Sequence, residues 1–228
     1  MDINTAYEFV KDLANKDQKG YLPSIKFNRY AERAQMEVFM IRYGNPHEYQ
    51  PGRPIPRMAF STTQKMSDDL RPFLNRSRLN ISRYGQCVLP KDYVHPTSIR
   101  YKLTSSRGTK EVPIKILSED KLSYRLASAI VAPSKEYPVC TFYDSFVQFY
   151  PENLNTVSFT YLRRPNKPEW AYTILNGREV YDPSNSVDWE FPDDVHNELV
   201  MRVLSYLGIR IREAELTQYA ELKAGKGI

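Results

Sequence analysis

The sequence predicts an α+β fold, with N- and C-terminal helices forming a small bundle and an antiparallel β module, a sandwich or a meander, inserted between them. Three observations predict it. Apolar residues recur at steps of three and four over residues 4–43, and again from residue 192. From about residue 77 the period changes to two, with turn residues between short apolar runs. The 228 residues suffice for one good core or two small ones. On this reading residues 1–76 and 188–228 form the helical domain and residues 77–187 the β module.

Taken in order, residues 4–15 read as a short helix with Ala6, Phe9, Val10 and Leu13 on one face, ended by Lys19-Gly20. A second helix starts at Ser24 as N-cap and carries Phe27, Ala31, Ala34, Val38 and Ile41 as a narrow seam for another helix, until Gly44 and Pro46 stop it. Residues 45–60 hold four prolines in sixteen positions, which excludes helix and central strand. What remains is an extended arm, either pinned to its own protomer or reaching another, whose restricted backbone orders at low entropic cost. Residues 61–73 form a third helix, capped by Ser61 or Thr62 and closed before Pro72.

Strands follow in "LNI", "QCVLP", "TSIRYKL" and "EVPIKIL", then a helical interlude capped by Ser118. The segments "YPVCTFY", "SFVQFYP" and "TVSFTYLRRP" read as a three-stranded meander, clearest in Val157, Phe159 and Tyr161 alternating with Ser158 and Thr160. Residues 163–187 read as irregular, with "RRPNKPEW" and "LNGREVYDPSNS" acting as turns. A last helix, residues 192–211, carries Val195, Leu199, Val203, Leu207 and Ile211 at steps of four, with Gly208 as a break or hinge.

The most chemical-looking stretch is the front of that helix, where Asp193, Asp194, His196 and Glu198 crowd six positions. Pro192 and two carboxylates at the positive end of a helix dipole are an ordinary helix start. His196 and Glu198 stand two apart and diverge on a helix, and no third ligand completes a metal set with Asp194 and Glu198. No phosphate-loop, dinucleotide, zinc-protease, nucleophile-elbow or C-x-x-C motif occurs, and nine glycines leave little room for a phosphate cradle. His47, His95 and His196 stand in unrelated contexts. The expectation is a protein with no catalytic residue, metal or cofactor. Cys87 and Cys140 read as buried free thiols.

The net charge of +5 is spread over 32 basic and 27 acidic residues with no run of five like charges, so there is no basic nucleic-acid tail. Basic spots stand at Arg53 and Arg57, at "NRSR" in 75–78 and at Arg163-Arg164, each too sparse for a nucleic-acid groove by itself. Seventeen tyrosines suit a protein interface or strand faces equally. No segment approaches a membrane span or has the pattern of a secretory leader, which points to synthesis in a cytosol.

The order of elements, with "EYQPGRPIPR", "LPKDYVHPTSIRY", "KEYPVCTFYDSFVQFYP", "TYLRRPNKPEW" and the closing "EFPDDVHNELVMRVLSYLGIRIREAEL", resembles the neck or tail-adaptor proteins of short-tailed bacteriophages. The wording is most similar to the ring-forming virion proteins of crAss-like phages. The resemblance covers most of the chain and rests on phrases and element order. It implies a structural protein of the virion neck, made in the host cytoplasm, that forms a closed dodecameric ring between portal and tail. Its partners are then further copies of itself, the portal protein, neighbouring tail or ring proteins, and double-stranded DNA passing without sequence specificity; no membrane is involved. On that reading Tyr49, Arg53, Arg57, Phe27, Val38, Val203, Leu207 and Tyr219 are expected at protomer or partner contacts, and Asp68, Asp69, Glu213 and Glu215 along the channel. Two rivals stand beside it: a nucleic-acid-binding accessory protein that stacks bases on Tyr-rich strands, and a small hydrolase whose site is built from distant residues.

Overall fold

The computed structural model describes residues 1–16, 22–44, 57–105 and 108–208, with side chains omitted at 15, 16, 57–63 and 105. The fold is α+β, and the chain divides into two units, residues 1–72 with 165–228, and residues 73–164.

The first unit is helical. Helix α1 (Ile3–Lys16) buries Ile3, Ala6, Tyr7, Val10 and Ala14, a run at helical spacing. Phe9, expected on that face, is exposed. It stands two residues from Tyr7 and so points to the other side of the helix; the Tyr7 ring takes the inward place, its hydroxyl donating to the Leu22 carbonyl at 3.0 Å. Helix α2 (Ser24–Gly44) buries Phe27, Ala31, Ala34 and Val38 as expected, and Phe39 with them. Ser24 is not its N-cap: the Pro23 carbonyl receives the Lys26 and Phe27 amides at 3.0 and 3.1 Å, which places Ser24 inside the first turn.

Helix α3 (Arg57–Leu70) starts four residues ahead of the expected Ser61 or Thr62 cap, directly after the last proline of the arm, Pro56. Proline is disfavoured in a helix interior, and in the sequence the helix begins at the first residue after one. The last helix of this unit is α5 (Asp193–Tyr206), which buries Val195, Leu199, Val200, Val203 and Leu204. It ends earlier than expected. The Leu207 amide bonds the Val203 carbonyl at 3.1 Å, and Gly208 follows at φ 66°, the left-handed conformation that closes helices. Gly208 is therefore the stop of this helix and no hinge within it. Ile211 lies outside the described residues.

The second unit holds two four-stranded sheets. One has the order β1 (Leu74–Asn80), β8 (Thr156–Arg163), β3 (Tyr93–Ser105), β4 (Gly108–Pro113); the other has β2 (Gln86–Val88), β7 (Phe146–Tyr150), β6 (Val139–Phe142), β5 (Lys115–Ile116). A shared core of Cys87, Ile99, Ile114, Cys140, Val147, Phe149, Leu154, Val157, Phe159 and Tyr161 joins them as a sandwich. The expected three-stranded meander is corrected. The second of its strands, β7, pairs with β6 in one sheet, whereas β8 pairs with β1 and β3 in the other. The turn expected at "ENLN" is thus a crossing between layers. The module is also not wholly antiparallel, since β5 runs parallel to β6. Helix α4 (Glu119–Ala127) and the loop after it supply the crossover that parallel neighbours need. Ser118 stands at its N-cap but makes no side-chain capping bond.

The unit boundaries differ from those expected at 76/77 and 187/188. Strand β1 opens directly after a 3-10 turn at Arg71–Phe73, and residues 165–187 belong with the helices. Trp170 holds them there. Its indole Nε1 donates to Asn4 Oδ1 at 2.9 Å, its amide to Asn28 Oδ1 at 2.9 Å, and its ring lies 4.3 Å from Tyr7. Strands β9 (Tyr172–Leu175) and β10 (Arg178–Tyr181) then form a hairpin around Asn176-Gly177, with φ 52° and 75°, where the sequence had suggested only turns. Two consecutive positive φ values make the two-residue turn for which Asn-Gly is the preferred pair.

Burial pushes the Cys140 thiol up to about 12 and raises that of Cys87, and both are free. The thiolate is the reactive form. A thiol-disulfide reagent at pH 8 is expected to label neither cysteine in the native protein and both in denaturant; rapid native labelling of Cys140 would contradict this core.

Candidate functional site

At the front of α5 Asp193 and His196 meet, with Asp193 Oδ1 3.2 Å from His196 Nδ1, whereas Asp194 and Glu198 turn to other partners. Asp193 and Asp194 occupy the first turn, where carboxylates stabilise the helix end. Asp194 faces Lys65 of α3 at 3.3 Å, and Asp193 accepts from the Met1 amine at 2.6 Å. The buried His196 ring packs against Trp189 with centroids 5.7 Å apart, and its Nε2 lies 2.8 Å from the Phe191 carbonyl. That carbonyl only accepts, so Nε2 carries the proton. Glu198 turns to a different set of partners, two arginines, as its position two residues from His196 requires.

Those arginines build the most developed charged cluster of the helical unit. Arg42 of α2 donates from Nε to Asp69 of α3 at 2.8 Å and from Nη2 to Glu198 of α5 at 2.6 Å. Arg202 donates to Glu198 at 3.0 Å and to Glu37 at 2.6 Å, and the Tyr206 hydroxyl donates to the same Glu37. The Arg33 guanidinium lies 4.6 Å over the Tyr206 ring. Three helices are stapled by alternating charges. Burial alone would lower the Arg42 pKa, but its bonds to Asp69 and Glu198 outweigh burial and raise it. Burial likewise works to raise the Glu198 carboxyl, while Arg202 and Arg42 hold it below its usual range.

A carboxylate depressed in the folded state adds stability above its unfolded pKa, and that contribution is lost as pH falls through the folded value. Wild-type protein is therefore expected to be more stable than Glu198→Gln at neutral pH, with the gap closing below the ordinary glutamate value near 4.5. Thermal melts from pH 7 to pH 3 check this. A gap that widens on acidification would contradict it.

A cleft of about 540 Å³ opens between α1 and the β9-β10 hairpin, walled by Tyr7, Trp170, Ile174 and Tyr181 and edged by Lys11 and Arg178. Trp170 stacks on Tyr172 and Tyr181 at 5.9 and 5.8 Å. Sequence reading missed it because Tyr7 and Trp170 lie far apart along the chain. The signal that could have found its outer wall was Asn176-Gly177 between two apolar runs.

Several expected contact residues are not available as such. Phe27, Val38 and Val203 are completely buried in the helical unit itself, so the seams they form close within one chain. Leu207 is half-buried at the end of α5. Asp69 cannot line a channel in this conformation, being buried against Arg42. Asp68 is half-buried and pairs with Arg71 one turn away. Arg57 opens α3 by its backbone, and its side chain lies outside the described residues, as do Tyr49, Arg53, Glu213, Glu215 and Tyr219. His47 lies there too, while His95 belongs to β3 and His196 to α5, in different units. Among the described residues no group of three or more His, Cys, Asp or Glu is placed to hold a metal ion, and no helix is long and apolar enough to cross a membrane.

The strand unit leaves an apolar patch uncovered. On α4 and the loop that follows it, Tyr124, Ile130 and Tyr137 are 81%, 94% and 67% exposed, with Leu126 and Val131 exposed beside them. The loop is tied to the helix by the Arg125 side chain, which donates to the Val131 carbonyl at 3.1 Å. On the helical unit, Ile174 and Leu175 at the hairpin turn are exposed as well. In comparisons with known proteins, no family model matches the chain and no curated protein does.

Proposed function

We propose that the chain is a structural virion protein that forms a closed ring of identical copies between portal and tail, gives passage to genomic DNA, and works through its surfaces and not by catalysis. The observation that carries this is the fixed apolar surface at residues 124–137, with Ile130 almost fully exposed at its centre. Large apolar groups held in water mark a surface that another protein covers. A ring needs two different surfaces per copy, since head-to-tail contacts close by rotation and not by a twofold. The exposed hairpin turn at Ile174 and Leu175 offers the second, on the other unit. The likeness of the sequence phrases to ring proteins of crAss-like phages supplies the particular assembly. The charged groups that could have suggested catalysis have structural partners, Glu198 between two arginines and His196 on the Phe191 carbonyl.

Mass spectrometry of purified, DNA-filled particles tests the reading. The chain is expected among the virion proteins in a fixed ratio to the portal; its absence from particles would overturn the proposal.

A further inference from the structure

We propose that the solvent face of the β1-β8-β3-β4 sheet is a phosphate-backbone contact surface whose occupant is double-stranded DNA. Side chains alternate across a sheet, so the register fixes which residues share a face. With Val157, Phe159 and Tyr161 in the core, Ser158 and Thr160 point outward. Arg76 stands opposite Thr160 and Arg78 opposite Ser158; from the other side, Ser98 stands opposite Thr160 and Arg100 opposite Ser158. Lys102, two residues beyond Arg100, continues the same face. Arg76, Arg78, Arg100 and Lys102 are all exposed.

Four cations and a central line of hydroxyls thus lie on one open surface. The carboxylate opposite Lys102 on β4 is Glu111, and it reaches Arg100 at 3.6 Å. Arg76 is oriented by its Nε, which donates to Ser158 Oγ at 2.7 Å. Arginine, lysine, serine and threonine are the side chains that contact phosphate oxygens. Same-face residues repeat about every 7 Å along a strand, close to two phosphates of one DNA strand at about 3.4 Å of axis each.

The cores of protein interfaces are apolar, whereas these rows run Arg76, Thr160, Ser98 and Arg78, Ser158, Arg100, the latter ending at Pro113 on β4, which favours a phosphate polymer over an acidic protein. No ring is available to stack bases there, because Phe159 and Tyr161 are 1% and 2% exposed on the opposite face. The contact is therefore to the backbone and blind to sequence. The two basic spots "NRSR" and Arg163-Arg164, each too sparse alone, were not the relevant grouping; Arg76 and Arg78 are completed by Arg100 and Lys102 from a strand two positions away. The proposal takes the identity of the polymer from the ring reading, and its place from the charge pattern.

The test is fluorescence anisotropy of a mixed-sequence DNA duplex with the full chain across a salt series. Arg76→Ala, Arg78→Ala, Arg100→Ala and Lys102→Ala combined are expected to flatten the log-affinity against log-salt slope by about 3–4 and to weaken low-salt affinity at least about tenfold. A control of equal charge change on other surfaces, Lys26→Ala, Lys115→Ala, Lys121→Ala and Lys135→Ala combined, keeps the wild-type slope. Equal losses in both variants would reduce the effect to net charge and overturn the proposal. So would unchanged DNA binding in the first variant accompanied by lost self-association, which would make the face a protein contact. A wild-type chain that stays monomeric yet loses DNA binding in the first variant alone would remove the ring reading and leave this surface standing.

Discussion

Replacing Arg42 by alanine is expected to destabilise the helical unit by about 3–5 kcal/mol, the cost of leaving a buried carboxylate without its partner. The Asp69 side chain is 3% exposed and holds a 2.8 Å bond to Arg42 Nε. Removing the guanidinium strands that charge, and Glu198 loses one of its two arginines at the same time. The double change Arg42→Ala with Asp69→Ala is expected to recover part of the loss, because the unpaired charge goes with it. Both tryptophans, Trp170 and Trp189, lie in the helical unit, so denaturant unfolding followed by tryptophan fluorescence reads that unit directly. A single variant within about 1 kcal/mol of wild type would show that the network is an exposed, screened one.

The second large effect is at Trp170. Its removal as Trp170→Ala is expected to cost about 3–5 kcal/mol, in the range for a buried aromatic deleted from a packed site. The indole is 3% exposed and contacts Tyr7, Tyr172 and Tyr181, so the cavity would open between α1 and the hairpin. Trp170→Phe keeps most of the ring area and loses the bond to Asn4, with an expected cost nearer 1–2 kcal/mol. Hydrogen exchange separates local from global loss: amides in residues 172–181 should lose protection first and most. Uniform loss across α2 and α5 would contradict the role given to Trp170 as the anchor of the hairpin.

The fold class was legible because two periodicities are strong in this chain. The stripe through Phe27, Ala31, Ala34 and Val38 and the steps of four through Val195, Leu199 and Val203 could only be helix faces, and all seven residues are buried. What the stripes did not reveal was the identity of their partner. An apolar seam looks the same whether a helix of the same chain or of a neighbour fills it, and here the chain's own helices do. Pairing of strands was also beyond local reading: β6, β7 and β8 are consecutive and alternate well, yet the last of them belongs to the other sheet. The hairpin at Asn176-Gly177 was legible and passed over, because its strands are only four residues each.

The candidate site divides in the same way. The acids at the front of α5 read correctly as a helix start, since Asp193 and Asp194 needed nothing beyond their distance from the N-terminus of the helix. Asp69 was misread because its partner Arg42 sits 27 residues earlier on another helix. The basic sheet face was invisible as a motif, its four cations being drawn from two strands that are brought together only by β8.

The central claim is assembly into a ring of identical copies, and mass photometry of the isolated chain, with electron microscopy of the same sample, tests it most directly. The account predicts one dominant closed ring, at twelve times the 26.6 kDa protomer mass, which Ile130→Glu with Val131→Glu disperses to folded protomers. A protein that remains a monomer at every concentration, alone and with the portal, would contradict it.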